Sequence, residues 1–285
     1  MKNLRNVMGS LWVAAAILFS SCEKDTTDTT LDPVSEIPSE VLAKLKEVKL
    51  NHNDVNVKMI EGPDGNSEEM YEIEGDILMS HQQLMDMSIE DGFYTKQYRT
   101  RNLVSATNIR VVGWNGNDRF GLNAAAQRGL RFAVDNYNRL NTRLNLQLVF
   151  STSFNNNDIL AYTQTNGSVI PQDGIRGRAG FPANGRAFNR IIINGGANRS
   201  SNDQILEGLF THELGHCVGL RHTDWFSRQS CGENVRENTS NDGAIHIPGT
   251  PTGTDFNSIM QACFPGARNQ GEFGVNDVIA LEFLY

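Results

Sequence analysis

The stretch THELGHCVGLRHTDW, residues 211–225, has the strongest pattern in the chain because it places three histidines within eleven positions. His212 and His216 are four residues apart, so on a helix both imidazoles project from the same side and can bind one metal ion. Gly219 follows where a helix can end in a left-handed conformation, and the chain then turns back and delivers His222. Three nitrogen ligands leave a tetrahedral zinc ion with one open position. The stretch therefore predicts a catalytic zinc site on an active-site helix.

Glu213 lies beside the two helical histidines and can take a proton from a water molecule in the open position, whose pKa zinc lowers to about 7. Two other interpretations stay open: histidines on the surface of an ordinary helix, and a domain that binds zinc without catalysis. The complete pattern of His212, His216 and His222 argues against the first. The presence of Glu213 argues against the second, because an inactive relic could lose this side chain and still bind zinc.

The surrounding sequence alternates strands with helices, which predicts a twisted, mostly parallel sheet in an α/β (α+β) domain over residues 105–285. Ser201 and Gln204 form a capping-box pattern that predicts the start of the zinc-binding helix. The other predicted elements are a strand at Ile109–Trp114, a helix over 123–140, an alternating strand over 144–150 and a buried strand at Arg190–Asn194.

Residues 1–22 are predicted to be an export signal. Lys2 and Arg5 precede an apolar run from Leu11 to Phe19, which is too short to span a bilayer that needs about twenty residues. Two serines and Cys22 follow, as in a bacterial lipobox whose cysteine is acylated after cleavage. The alternative is an ordinary secretion signal that contains a cysteine. The expected location is the bacterial cell envelope or surface, with a lipid anchor in the membrane, or the medium if Cys22 is not acylated.

Between the signal and the zinc-binding domain, the composition predicts three segments. Residues 23–40 are rich in Thr, Asp, Ser and Pro and are expected to be a disordered tether. Residues 41–89 read as a small α+β domain with a helix at Val41–Leu50 and strands at Val55–Ile60 and Met70–Leu78, and 90–104 as a polar linker. Residues 23–100 hold 18 acidic and 7 basic residues, whereas residues 101–285 hold 15 and 16. The net charge of −8 argues against nucleic-acid binding, and a monomer is expected.

The extended zinc motif resembles that of the metzincin clan, in which a methionine turn forms a floor beneath the zinc. Asn257–Met260 fits this turn, with Met260 as the floor residue. Within the clan, HELGHC, RHTDW and GAIHIPGTP resemble the bacterial dual-action HEIGH metallopeptidases. This resemblance implies a zinc-dependent endopeptidase with Glu213 as general base, acting on protein or peptide substrates. The rival prediction is a catalytically silent surface adhesin or binding module that keeps the zinc site as a relic.

The resemblance raises two further points. In astacins and serralysins a tyrosine two residues after the turn methionine approaches the zinc, but this chain has Ala262, so His246 or an arginine is a candidate substitute. Ile73–Ile77 resembles the Gly-Asp element by which astacin prosegments place an aspartate on the zinc. Asp76 is therefore a candidate latency switch that cleavage near Arg99 or Arg101 would release, and the alternative is a turn between strands.

Three cysteines follow Cys22, and the sequence does not fix their pairing. A bond between Cys231 and Cys263 would close a loop and contribute about 3 to 4 kcal/mol on the chain-entropy model. Cys217 could compete for the same partner. Asp224 is a candidate for orienting local backbone or a ligand histidine. Calcium at the Asn- and Asp-rich loop 155–158 also stays open.

Overall fold

The computed structural model describes eight segments of the chain: residues 36–48, 50–87, 97–155, 157–164, 176–198, 202–237, 244–263 and 271–285. Residues Glu36–Tyr285 form one compact unit. The predicted export signal with Cys22, residues 23–35 of the predicted tether and the first part of the predicted linker lie outside the described residues. Within those eight segments, no helix is both long and apolar enough to cross a membrane.

The N-terminal region is a three-stranded antiparallel sheet with two short helices: α1 (Ser39–Glu47), β1 (Val55–Glu61), β2 (Ser67–Ile73), β3 (Ile77–Ser80) and α2 (His81–Asp86). The sequence predicted a single strand from Met70 to Leu78, and this was wrong. Glu74 and Gly75 have φ angles of 58° and 91°, so the chain reverses there and the predicted strand becomes the hairpin β2–β3. Gly75 was the sequence feature that could have predicted this turn, since glycine adopts the left-handed conformation most easily.

The larger region is built on a five-stranded sheet in the order β6–β5–β7–β9–β8, parallel except for the edge strand β8. Its strands are β5 (Asn108–Trp114), β6 (Asn145–Ser151), β7 (Ile159–Gln164), β8 (Gly177–Arg178) and β9 (Arg190–Asn194), and its helices are α3 (Ala124–Asn138), α4 (Gly195–Asn198), α5 (Asp203–Val218) and α6 (Val275–Leu284). A separate two-stranded sheet joins β4 (Tyr98–Arg99) to β10 (Ile245–His246). The mixed α+β architecture of the prediction is confirmed, and β7 is an addition to it.

Helix α5 is buried along most of its length and packs on α3. The two helices approach closely at Gly129, where an added Cβ would lie 2.6 Å from Leu206 Cβ. Asn202, and not Ser201, caps the helix: its side chain accepts hydrogen bonds from Gln204 N at 3.0 Å and Ile205 N at 3.3 Å. Ser201 itself lies outside the described residues. A short polar side chain satisfies the first free N–H groups of the helix in either case.

The second half of the predicted linker is packed against the end of α5. Tyr98 O accepts a hydrogen bond from Arg221 N at 2.8 Å, and Thr100 N donates one to Gly219 O at 2.8 Å. Gln97, Thr100 and Val104 are buried. Residues 97–104 therefore belong to the framework that supports the metal-binding loop.

Candidate metal centre

The three predicted metal ligands meet at the C-terminal end of α5. His212 and His216 project from adjacent turns, and their Nε2 atoms lie 3.0 Å apart. The left-handed cap at Gly219, with φ of 107°, ends the helix and allows the chain to return with His222. All three rings are buried. Together with Asp76 they form a group whose ligand atoms all lie within 4.8 Å of one another.

Each histidine is oriented by a hydrogen bond from its Nδ1 atom. His212 Nδ1 donates to Ile259 O at 2.8 Å, His216 Nδ1 to Leu220 O at 2.9 Å, and His222 Nδ1 to the Glu237 carboxylate at 2.9 Å. Because Nδ1 carries the proton in each ring, the lone pairs of the three Nε2 atoms are available to one cation. This donor set, three imidazoles with a carboxylate close by, fits zinc.

Glu213 is buried next to this group. Its Oε2 atom has no hydrogen-bond partner among the described residues, although it is shielded from solvent. Burial raises the pKa of Glu213 well above its ordinary value, and the negative charge of Asp76 raises it further. A cation bound by the histidines would act in the opposite direction, since positive charge favours a carboxylate. The backbone of Gly177 passes so close that an added Cβ would overlap Glu213 Oε1.

A cavity of about 340 Å³ opens over His212 and Glu213, and both regions of the molecule contribute charged residues to its lining. The N-terminal region supplies Asp54, Glu74 and Asp76, and the larger region supplies the basic residues Arg176 and Arg228. The rest of the lining consists of Gly75, Gly177, Ile205, Leu209, Ala262 and Cys263.

Asp76 points from the β2–β3 turn at the histidines. Its Oδ2 atom lies 3.0 Å from His222 Nε2 and 3.8 Å from His212 Nε2. The turn is also fixed by backbone hydrogen bonds, because Ala179 N donates to Asp76 O at 3.0 Å and Leu78 N donates to Ala179 O at 2.7 Å. Asp76 therefore lies in a turn between two strands, and the same turn brings its carboxylate next to the histidines.

The electrostatics of Asp76 and His222 reflect this contact. Burial acts to raise the pKa of Asp76, but His222 and His212 outweigh it and hold the pKa well below its usual range. Burial acts to lower the pKa of His222, but the carboxylates of Asp76 and Glu237 raise it well above the ordinary value. Both pKa shifts indicate that the carboxylates around His222 stabilise positive charge at this position.

Acidic residues of strand β2 and the turn after it pair with arginines of the larger region. The buried pair of Glu74 and Arg221 has N···O distances of 2.7 and 2.9 Å. The other two pairs are Glu72 with Arg178 at 2.6 Å and Glu68 with Arg190 at 2.5 Å. The acidic excess found before residue 100 of the sequence therefore supplies ion pairs at the interface between the N-terminal region and the larger region.

Met260 lies beneath α5, next to the histidines. Its Sδ atom occupies the space over Gly215, where an added Cβ would lie 2.5 Å away. Asp277 holds the same turn by accepting hydrogen bonds from Ser258 Oγ at 2.6 Å and Ile259 N at 2.8 Å. Since the carbonyl of Ile259 orients His212, this turn reaches the ligand set directly.

Cys231 and Cys263 form a disulfide, and Cys217 is a free, buried residue of α5. Asp224 stabilises the same loops through backbone groups: it accepts hydrogen bonds from Ser230 N at 2.8 Å and Ala262 N at 2.9 Å. Of the two alternatives weighed for Asp224, the structure places it against local backbone.

His246 lies on β10, with its Nε2 atom 2.8 Å from Thr250 Oγ1, and it does not line the cavity. Ala262 does line the cavity, with the arginines named above. At the loop considered for calcium, Asp158 accepts a hydrogen bond from Arg110 N at 2.8 Å. Within the described segments, both groups of residues that could hold a metal ion include His222.

Three contributors to the site were not predicted: Glu237, Asp277 and Glu74. Each is a carboxylate far in sequence from the residue it supports, and no local spacing marks it. The excess of acidic residues before residue 100 was the only signal, and it did not single out Glu74.

A helix with two metal-facing histidines, a third histidine from the following loop and a buried glutamate beside them define a metallopeptidase site. The sequence profile of the dual-action HEIGH metallopeptidases matches residues 71–285, and the chain belongs to this family. This confirms the family resemblance read from the motifs. No curated protein matches the sequence.

Two solved structures of myroilysin are similar to this chain at 14% identity. Their TM-scores are 0.35 and 0.33, and in each case the match covers 66% of this chain and 86% of the other. Scores at this level add nothing to the assignment, which depends on the family match and the geometry of the site.

Proposed function

We propose that the protein is a zinc-dependent endopeptidase of the metzincin type, with His212, His216 and His222 as the zinc ligands. The observation that carries the proposal is the convergence of three Nδ1-anchored imidazoles beside a buried carboxylate, Glu213, whose Oε2 atom has no partner among the described residues. Such an atom is costly to bury unless a ligand or substrate engages it. Family membership supports the same reaction class.

A zinc ion held by His212, His216 and His222 would supply Lewis-acid activation of a water molecule and of the substrate carbonyl. Glu213 would accept the proton that the attacking water loses as its oxygen bonds to the carbonyl carbon. The same carboxyl group delivers the proton to the amide nitrogen as the C–N bond breaks. Because Ala262 offers no hydroxyl, Arg228 or Arg176 of the cavity lining is the candidate donor to the developing oxyanion.

The substrate would add as a strand along β8, which, among the strands of the described segments, is paired with β9 on one side only. In this structure the position is taken by the N-terminal region, because Ile77 forms a parallel bridge with Ala179 just after β8. The proposed latency of the full chain follows from two contacts: Asp76 lies where the catalytic water would be held, and residues 76–78 cover the substrate edge.

Activation would require release of the β2–β3 hairpin. The sequence suggested a cut near Arg99 or Arg101, but Arg99 is paired with Ile245 and Thr100 is buried against Gly219. A protease needs an extended, accessible segment. We therefore place the activating cut before Gln97, which would leave β4 in the enzyme. N-terminal sequencing of the processed form tests this, and a new terminus inside or after β4 would contradict it.

The proposal is tested with three versions of the full chain: wild type, Asp76→Ala, and Asp76→Ala with Glu213→Gln. All three should contain one zinc ion. Asp76→Ala should cleave casein more than wild type, by roughly 10- to 100-fold, because a charge-assisted contact worth about 1.5–3 kcal/mol is lost. The added Glu213→Gln change should remove about 10²–10⁴-fold of that activity.

A different function is indicated if all three versions bind zinc and none cleaves casein, gelatin or a broad peptide library. The silent surface adhesin or binding module would then be the better description. If Asp76→Ala cleaves no faster than wild type while Glu213→Gln still abolishes the activity, the enzyme stands and the latency mechanism fails.

The proposed location is the bacterial cell envelope, with acylated Cys22 as the anchor after export. The support is the sequence pattern of residues 1–22. Mass spectrometry of the mature N-terminus should find a diacylglyceryl group on the Cys22 thiol, with or without an acyl group on its amine, and Cys22→Ser should release the protein from membranes. An unmodified cysteine in a soluble product would favour simple secretion.

A further inference from the structure

Glu237 is a buried carboxylate outside the zinc-binding motif. It is fifteen residues after His222 in sequence, and its Oε1 atom accepts the hydrogen bond from His222 Nδ1 at 2.9 Å. Its backbone N–H donates to Trp225 O at 2.8 Å, so the main chain holds it in this position. Both residues of this contact thus belong to the larger region.

This contact distinguishes His222 from the other two ligands. His212 and His216 donate to the backbone carbonyls of Ile259 and Leu220, which are neutral acceptors. The Nδ1 atom of His222 donates instead to a carboxylate. A charged acceptor makes a stronger hydrogen bond, and it increases the electron density at the opposite ring nitrogen, which is the atom that binds the metal.

Two arginines surround Glu237 and stabilise its charge. Arg228 NH1 lies 3.1 Å from Oε1, and Arg221 NH2 lies 3.6 Å from Oε2. These guanidinium groups offset the cost of burying the carboxylate charge.

We propose that Glu237 is a positioning residue that fixes the orientation of His222 and raises the zinc affinity of the site through it. The inference rests on the proposed zinc function, because it requires His222 to be a ligand. Loss of such a partner typically weakens metal binding by about 10- to 100-fold.

The experiment measures the zinc dissociation constant of the full chain at one fixed pH, by competition with a chromogenic chelator. Glu237→Ala should bind zinc about 10- to 100-fold more weakly than wild type. Glu237→Gln keeps an acceptor oxygen but not the charge, so its loss should be smaller. The control is Glu207→Gln, a buried acid-to-amide change on α5 whose carboxylate bonds to Asn136 and contacts no zinc ligand. This control should bind zinc as wild type does.

Thermal unfolding of the metal-free proteins separates positioning from folding. If Glu237→Ala unfolds, Glu237→Gln provides the measurement, and Arg228→Gln, which removes a cation that holds the carboxylate, should also weaken zinc binding. Folded Glu237 variants with wild-type affinity would overturn the proposal. An equal loss in Glu207→Gln would overturn it too, because any buried charge change would then have the same effect. If wild type binds no zinc, both this inference and the proposed function fail.

Discussion

Helix α5 and the β2–β3 hairpin meet at the same three histidines, but different contacts hold them there. His212, Glu213 and His216 lie within five residues of one another, and helix geometry brings them together. The contact between Asp76 and His222 joins residues 146 positions apart, and it depends on pairing with Ala179 and on the buried pair of Glu74 and Arg221. One part of the site is therefore local, and the other is a product of tertiary structure.

This difference suggests a division of roles. The local part can form a metal site wherever the helix and the loop after it are folded. The hairpin is attached by ion pairs and a few backbone hydrogen bonds along an edge strand, which are contacts that can be broken as a set. Its removal should change access to the metal more than it changes metal binding.

Zinc affinity is the sharpest test of this division. His216→Ala should weaken zinc binding by roughly 10²–10³-fold, since structural zinc sites gain about 10–16 kcal/mol from four ligands. Asp76→Ala should change it by less than about tenfold, because the three histidines remain. Zinc content and competition with a chelator measure both. Equal losses of zinc affinity in the two variants would show that Asp76 of the hairpin contributes as much to zinc binding as His216 does.

Glu74→Ala should have an effect of similar size, on stability. It leaves the buried guanidinium of Arg221 with Glu237 as its nearest carboxylate, and removing one member of a buried pair costs about 3–5 kcal/mol. Urea unfolding of the full chain measures this loss. Glu69→Ala, an exposed residue of the preceding strand β2, is the matched control and should stay within about 0.5 kcal/mol of wild type. Similar losses in both would mean that the buried pair does not fasten the hairpin.

Gly219→Ala tests the part of the site that helix α5 and the loop after it form. Its φ of 107° is strained for any residue with a Cβ, and that atom would lie 2.9 Å from Leu103 Cδ2. We expect a loss of about 1–2 kcal/mol in unfolding free energy and a displaced His222, hence weaker zinc binding. Gly232→Ala is a suitable control, because its φ is also positive but no atom lies within 4 Å of the added Cβ. If the two variants lose zinc affinity equally, the close packing at Gly219 does not position His222.

The last prediction is a pH dependence from Asp277. Burial raises its pKa to about 6, against an ordinary value of 3.8, while hydrogen bonds from Ser258, Ile259 and Gly274 oppose the rise. Folding therefore favours the protonated form. The contribution to stability is complete below about pH 4 and is lost as the pH rises through 6. Asp277→Asn should remove this decline, at some cost in absolute stability. An unchanged slope between pH 4 and 6 would assign the dependence to another group.

The sequence by itself identified the three clustered histidines, Glu213, the cap at Gly219 and most strands of the central sheet. These features depend on spacing within a helix, on alternation within a strand, or on the one residue that adopts a left-handed conformation. Each is a property of a short stretch, so a single sequence is enough to indicate it.

Only the tertiary structure decided the rest. The predicted strand from Met70 to Leu78 ran through the break at Glu74 and Gly75 because apolar residues lie on both sides of it, and the sheet pairing of β3 outweighs that pattern. Glu237 and Asp277 support the site from other segments, and the choice of Cys231 over Cys217 as the partner of Cys263 depended on which side chains are adjacent. Contacts between distant segments are fixed by how the elements pack, and no short stretch of sequence records them.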